Sequence, residues 1–255
     1  PYVLKKPHES KIYLHKNEIN ILNQLEHPNI IRLIKSSEKY LITEFANGYD
    51  LFHWIHPIYG IELTSNNVRA IIKPIVTALI YTNTINISHR DIKLENIVIH
   101  DGIPKLIDWG FACKDLKSSK KRLGTCGYLS LQIIQNKTYS PEKNDVWALG
   151  VVIFSLHVQR SPYATDKIDD YFQAIIDYKW TLFWNSHIHY DKKNFTIYND
   201  HIFRNLIENM LNPDENARFD LQQVLNHEWF TQESSTTEEI KQLQKKISTR
   251  KYLFD

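Results

Sequence analysis

The chain has 255 residues, 42% hydrophobic and 24% charged, with a net charge of +2. That balance suits a water-facing globular protein of one large domain or two small lobes; a charge so near zero predicts neither nucleic-acid nor membrane binding, and no apolar run nears the roughly 18 residues of a membrane span. Two cysteines, Cys113 and Cys126, give no disulfide framework, so an intracellular setting (cytoplasm or nucleus) is expected.

YVLKK reads as a strand that stops at Pro7. Lys11 to Leu25 reads as a helix, with Ile12, Ile19, Leu22 and Leu25 near a helical period, broken by Pro28 in HPNI. Ile30 to Ile34 and Tyr40 to Phe45 form a β-hairpin pattern around KSSEK. Asn47-Gly48 is the clearest linker: strand-like sequence precedes it and helical sequence follows. Leu51 to His56 is a short helix, and Thr64-Ser65 caps a longer one from Asn66 to Asn83. Asn96 to His100 and Pro104 to Ile107 are strands around an Asp101-Gly102 turn. Leu116 to Leu123 is polar, basic and loop-like. Asp145 to His157 is a helix apolar on every side, hence buried. Asp169 to Tyr178, His201 to Leu211 and Leu221 to Asn226 are further helices, whereas the aromatic-rich Trp180 to Asn199 reads as irregular. The histidines His187, His189 and His201 fit no tight zinc spacing and read as solvated. The tail EEIKQLQKKI sets Ile240, Leu243 and Ile247 on one face of an amphipathic helix.

The octet HRDIKLEN, His89 to Asn96, concentrates the chemistry. A carboxylate such as Asp91 can orient an attacking hydroxyl and take its proton. Lys93 can neutralise charge on a transferred group, and Asn96 offers an amide oxygen suited to Mg²⁺. Asp108 follows 17 residues after Asp91, at a predicted strand end before Trp109-Gly110, where a carboxylate can reach a phosphate-bound metal. A lone HRD is a common surface ion-pair turn; HRDxKxxN, a hairpin and then Asp-aromatic-Gly is a far more specific pattern.

From these motifs the chain resembles the eukaryotic-type serine/threonine protein kinases over nearly its whole length. The resemblance implies a bilobal α+β fold: a partial, β-rich N-lobe over 1–46 with its hinge at 44–46, a larger, mainly helical C-lobe over 47–231, and a helical tail over 232–255. Lys5 resembles the family's phosphate-binding strand lysine; Lys6 is the alternative, but Val3 and Lys5 share a strand face. Glu18 resembles the helix glutamate that pairs with it. In LITEFANGYDLFHWI, Thr43 matches the gatekeeper, and Glu44 to Ala46 the hinge whose backbone binds adenine. Asp91 is then the catalytic base, Lys93 its partner on the serine/threonine branch, and Asn96 and Asp108 the Mg²⁺ ligands. GTCGYLS puts Thr125 against Asp91; Asp145 holds the catalytic loop's backbone; Arg218 is the structural arginine of the large lobe. Singly, Lys5, Glu18 and Arg218 read as surface charges, Asp145 as a helix cap and Thr125 as a loop hydroxyl; order and spacing lift them together.

The implied activity is transfer of the ATP γ-phosphate to Ser/Thr hydroxyls of protein substrates, with ATP and Mg²⁺ as cofactors. Asp50 and Glu95 stand where basophilic members place acids, which suggests basic target sites. Ser118 and Ser119 are candidate phosphate acceptors in the activation loop, where Lys121 occupies the usual acceptor position. Three departures stand out. The four residues before Lys5 hold no Gly-rich phosphate loop, so the chain is a fragment or the loop was removed or left out; the family's APE reads Ser130-Leu131-Gln132, so Arg218 meets an amide in place of a carboxylate; and Trp109 replaces Phe, bringing an N–H that needs a partner when buried. A catalytically silent kinase-like scaffold is the alternative.

Overall fold

The computed structural model of the protein describes residues 1–59, 61–164 and 167–251. Residues 252–255 of the expected tail lie outside this range. β1 (Tyr2–Lys5), β2 (Leu33–Ser37) and β3 (Tyr40–Glu44) form an antiparallel sheet in the order β1-β3-β2. Val3 pairs with Thr43 and Lys5 with Leu41, so these four side chains share one face of the pleat. α1 (Ile12–Leu22) packs on that sheet, with Ile21 and Leu22 buried and His15 Nε2 bonded to Ser37 O at 3.1 Å.

Two boundaries differ from expectation for a visible reason. α1 ends before Leu25 because Gln24 and Leu25 donate three residues back, to Ile21 and Leu22, which closes the helix in tight turns. β2 starts at Leu33, not Ile30, because Ile30 bridges to Leu106 in the other lobe.

After Asn47-Gly48 the chain is mainly helical. α2 (Leu51–Ile55) is capped by Asp50, and α3 (Ser65–Thr84) starts in a capping box of Thr64 and Asn67. β4 (Ile97–His100) and β5 (Ile103–Leu106) pair antiparallel. Asp101 and Gly102 both take positive φ between them, 49° and 82°, the two-residue hairpin turn that their identities predict. α4 (Leu131–Ile134) precedes α5 (Pro141–Val158). Ser140 caps α5 and Pro141 opens it, four residues earlier than expected; every residue from Asn144 to Val158 is buried.

α6 (Asp170–Ile176), α7 (Trp180–Tyr190), α8 (Phe195–Asn199), α9 (His201–Met210), α10 (Leu221–Asn226) and α11 (Glu228–Thr231) surround α5. The aromatic stretch expected to be irregular is therefore two helices. Phe183, Trp184 and His187 recur at helical spacing and close on Phe154, whose ring centre lies 6.0, 6.0 and 4.9 Å from theirs. Counting His187 as polar hid the period. His187 is fully buried with Nε2 bonded to Pro162 O, which corrects its reading as solvated, whereas His189 and His201 are exposed. α12 (Thr237–Lys251) lays Ile240 and Ile247 into the core and Leu243 against it. Gln244 of α12 accepts from Gly102 N at 3.0 Å and donates to Asn47 Oδ1 at 2.9 Å. A Cβ at Gly48 would strike Ile99 O and Gln244, so only glycine fits where the linker, β4 and α12 meet. No helix among the described residues is long and apolar enough to cross a membrane, and Cys113 and Cys126 are free thiols.

Burial lowers two imidazoles: His157 to about 4, and His187, with Arg160 also nearby, to about 3, both from an ordinary 6.5. Both are neutral in the fold and protonate first in the unfolded chain. Their contribution is therefore full above pH 6.5 and is lost as pH falls toward 4 and 3. Between those limits we expect the unfolding free energy to fall by up to about 1.4 kcal/mol per pH unit per ring. Denaturant titrations of wild type and His187→Gln should show the variant with the shallower slope; equal slopes contradict the assignment.

Candidate active site

α5 drives Asp145 into the core directly beneath the segment Ser88–Asp91. Asp145 Oδ2 accepts from Ser88 Oγ at 2.5 Å and from His89 N at 2.7 Å, and Oδ1 accepts from Arg90 N at 2.8 Å. Burial pushes its carboxyl above the ordinary range; the nearby His89 and these donors oppose that push. The same clamp supports a left-handed Arg90, φ 66°, from which the chain presents Asp91. His89 Nδ1 accepts from Asp91 N at 3.2 Å and Nε2 donates to Ile107 O at 3.0 Å, a pattern that needs the proton on Nε2. Arg90 Nε donates to Phe111 O at 2.6 Å, tying the loop to the segment after Asp108.

Asp91 is 6% exposed, and both its oxygens are engaged. Oδ1 accepts from Thr125 Oγ1 at 2.7 Å; Oδ2 meets Lys93 Nζ at 3.0 Å and Asn96 Nδ2 at 3.1 Å. Lys93 Nζ also donates to Thr125 Oγ1 at 2.8 Å, so Asp91, Lys93 and Thr125 close a triangle. Asn96 Nδ2 donates again to Asp91 O at 2.8 Å, which leaves Oδ1, the oxygen a metal would take, outside these bonds.

Lys5 Nζ stands between two carboxylates, 2.7 Å from Glu18 Oε2 and 3.2 Å from Asp108 Oδ1. Burial disfavours its charge, but Glu18 and Asp108 outweigh burial and raise the ammonium above its ordinary range. Burial likewise works against ionised Asp108, and Lys5 overcomes it to hold the carboxyl below its ordinary range. Asp108 sits in the left-handed region, φ 60°, two residues beyond β5. Lys5, Glu18, Asp91, Lys93, Asp108 and Thr125 line one cavity between sheet, α1 and catalytic loop. Asn96 is held beside it by Asp91.

The other candidate residues lie around this centre. Thr43 faces the same side of the sheet as Lys5, whereas Glu44 turns away and binds Lys105 at 2.9 Å; Thr43, Glu44 and Ala46 are not walls of the cavity. Ser118 is exposed and Ser119 half-buried, its backbone bridged to Tyr139; neither is brought to Asp91. Arg218 is 1% exposed, donates to Asn212 O, Lys143 O and Gln132 Oε1 at 3.0, 2.9 and 3.0 Å, and lies over the Trp147 ring. Burial lowers it to about 10, still protonated at neutral pH. Gln132 also donates Nε2 to Pro213 O at 2.6 Å, a bond that a glutamate could not make. Trp109 is fully buried with its ring centre 4.6 Å from that of His89 in an edge-to-face arrangement, and its N–H finds no acceptor among the described residues.

Asn17 was not anticipated. Its Nδ2 donates to Gly110 O and Ala112 O, both at 2.9 Å, and so fixes the segment beyond Asp108 to α1. Nothing in the sequence separates it from a solvated helix asparagine. Two hard oxygen donors, Asn96 Oδ1 and the Asp108 carboxylate, beside the Lys5 ammonium make a donor set that fits Mg²⁺ and a phosphate chain. When bound, the ion would neutralise charge on the phosphates.

A family model described as the protein kinase domain matches residues 2–230. The chain belongs to the protein kinase family. A human SNF-related serine/threonine-protein kinase is 30% identical over 221 residues, covering 83% of this chain and 27% of that protein. Calcium-dependent protein kinase 5 of Plasmodium falciparum (isolate 3D7) is 32% identical over 225 residues, 84% of this chain and 37% of its own length. The CaM kinase-like vesicle-associated protein of Danio rerio is 28% identical over 237 residues, 89% of this chain and 53% of its own. The chain thus spans between a quarter and about half the length of these relatives. The small antiparallel sheet over a mainly helical lobe is the architecture of this kinase family.

Gln132 therefore serves the buried Arg218 as acceptor and Pro213 as donor. Gln132→Ala leaves one Arg218 nitrogen and Pro213 O unpaired, and we expect it to lower unfolding free energy by about 1–3 kcal/mol in urea titrations. An unchanged midpoint would show that the Arg218 bond contributes nothing.

Proposed function

We propose that this chain is an active serine/threonine protein kinase that transfers the ATP γ-phosphate to protein hydroxyls, with Mg²⁺. The observation that carries the reading is the Asp91 carboxylate. The residues just before it are pinned by the Asp145 clamp, and one of its oxygens already accepts from a hydroxyl, that of Thr125 at 2.7 Å. An incoming serine or threonine can be oriented in the same way and give up its proton there. Lys93, 3.0 Å from the other oxygen, is placed to offset charge on the moving phosphoryl group. Lys5, held by Glu18, would grip the nucleotide phosphates, and Asn96 and Asp108 would take the metal. Residues 1–46 then act as the nucleotide-facing lobe with the adenine hinge at 44–46, residues 47–231 as the substrate lobe, and the described tail as a strap behind the hinge linker.

Basic target sites are part of this proposal. Asp50 is committed to capping α2 and to His53, 2.8 Å from its Oδ2. Glu95 differs: it lies beside the Tyr128 hydroxyl and makes no ion pair among the described residues, so an arginine or lysine upstream of the target hydroxyl would answer its charge.

The test is a Ser/Thr peptide array with the full chain and Mg-ATP. We expect transfer that favours upstream Arg or Lys, a weaker preference in Glu95→Gln, and loss of at least about 100-fold in Asp91→Asn. Nucleotide-induced thermal stabilisation without transfer would instead favour the silent scaffold. Phosphate on neither Ser118 nor Ser119 in a fully active preparation would remove a phospho-switch from the account.

A further inference from the structure

Lys105 is charged, yet its side chain is 10% exposed and it sits in β5 where apolar residues are expected. Its Nζ meets Glu44 Oε1 at 2.9 Å and donates to Pro28 O at 3.0 Å. The same Glu44 oxygen accepts from Arg32 N at 3.0 Å, and Glu44 N donates to Arg32 O at 3.0 Å. Glu44 is therefore fixed by backbone and side chain together, and the side-chain half depends on a lysine from the other lobe. A buried lysine whose charge answers a single carboxylate is costly to break: removing one member leaves the other uncompensated. Selection of hydrogen-bond geometry points the same way. Glu44 ends β3 with its side chain on the face opposite Thr43, so pulling it toward β5 sets the direction in which the next backbone groups leave the sheet.

β5 has a second role. Leu106 N donates to Asn29 O at 2.8 Å, Ile31 N donates to Leu106 O at 3.0 Å, and two residues later the strand delivers Asp108. One short strand thus carries the candidate metal carboxylate at its end and holds the candidate hinge through Lys105.

We infer that Lys105 is a positioning residue for the nucleotide: its ion pair with Glu44 fixes the hinge backbone at 44–46 at a set distance from Asp108. The inference rests on the nucleotide-binding part of the proposed function, not on transfer. Lys105 touches no substrate. It acts through Glu44, so its loss should be felt at the adenine end of the ligand, where no phosphate or metal is involved.

Calorimetric titration of the full chain with adenosine and with Mg-ADP separates the possibilities. In Lys105→Met we expect both ligands to weaken by a similar factor, about ten-fold, because the hinge backbone is displaced for each. Lys105→Arg, which keeps the charge and the reach, should restore binding to within about two-fold of wild type. Glu44→Gln, which keeps the shape and the Arg32 bond, should fall between them, and it carries the test if Lys105→Met does not fold. Unchanged binding in Lys105→Met or Glu44→Gln overturns the inference, as does a loss confined to Mg-ADP, which would place the effect at Asp108. A wild-type chain that binds both ligands but transfers no phosphate removes the catalytic reading and leaves this one standing; a wild-type chain that binds neither removes both.

Discussion

One buried carboxylate organises the molecule. Asp145 takes three donors from Ser88, His89 and Arg90, and each of those residues passes the constraint on. Ser88 joins Cys113 through a pair of backbone bonds, His89 reaches Ile107, and Arg90 reaches Phe111. The Ser88–Asp91 loop and the Asp108 segment are therefore set by the same anchor. A carboxylate placed that deeply is tolerated only because its donors replace water completely. The surrounding helix can bury it because α5 is apolar on all sides and is wrapped by α3, α9 and the aromatic face of α7.

The other charges that tie the elements together each meet more than one partner. Arg218 is satisfied by two backbone carbonyls, an amide and the Trp147 face. Lys105 answers Glu44 and a carbonyl at once. Lys5 stands between Glu18 and Asp108, so α1, the sheet and β5 meet at a single ammonium. Moving any one of these elements breaks contacts in the other two. This is how a small sheet, joined to the helical lobe by a short linker, comes to share a site with it.

Much of this was legible before the fold was known. The octet at His89 to Asn96 was legible as one tight loop that brings a carboxylate, a cation and an amide together, and Lys93 and Asn96 do meet Asp91. Lys5 and Glu18 were legible only through resemblance, since a strand lysine and a helix glutamate thirteen residues apart carry no signal alone. The hairpin at Asp101-Gly102 was legible because two positive φ angles demand those residue types. Three things were not. α7 was missed because its helical period includes a histidine that behaves as a buried aromatic. Asn17 and Lys105 were missed because their roles lie in contacts with chain segments 93 and 61 residues away. The Trp109 N–H was recognised as a problem, and the fold leaves it unsolved among the described residues, a local cost of about 1–3 kcal/mol carried by the clamp and core around it.

The central claim is that the Asp145 carboxylate holds the catalytic loop in its working shape. Amide hydrogen exchange resolved at His89 and Arg90, with kcat measured on the same samples, tests it most directly. In Asp145→Asn one carboxylate oxygen becomes a donor, so a backbone amide loses its acceptor. The account predicts faster exchange at His89 or Arg90, unchanged protection in the rest of α5, and a kcat about 100-fold lower. Wild-type exchange at both amides together with full activity would contradict it.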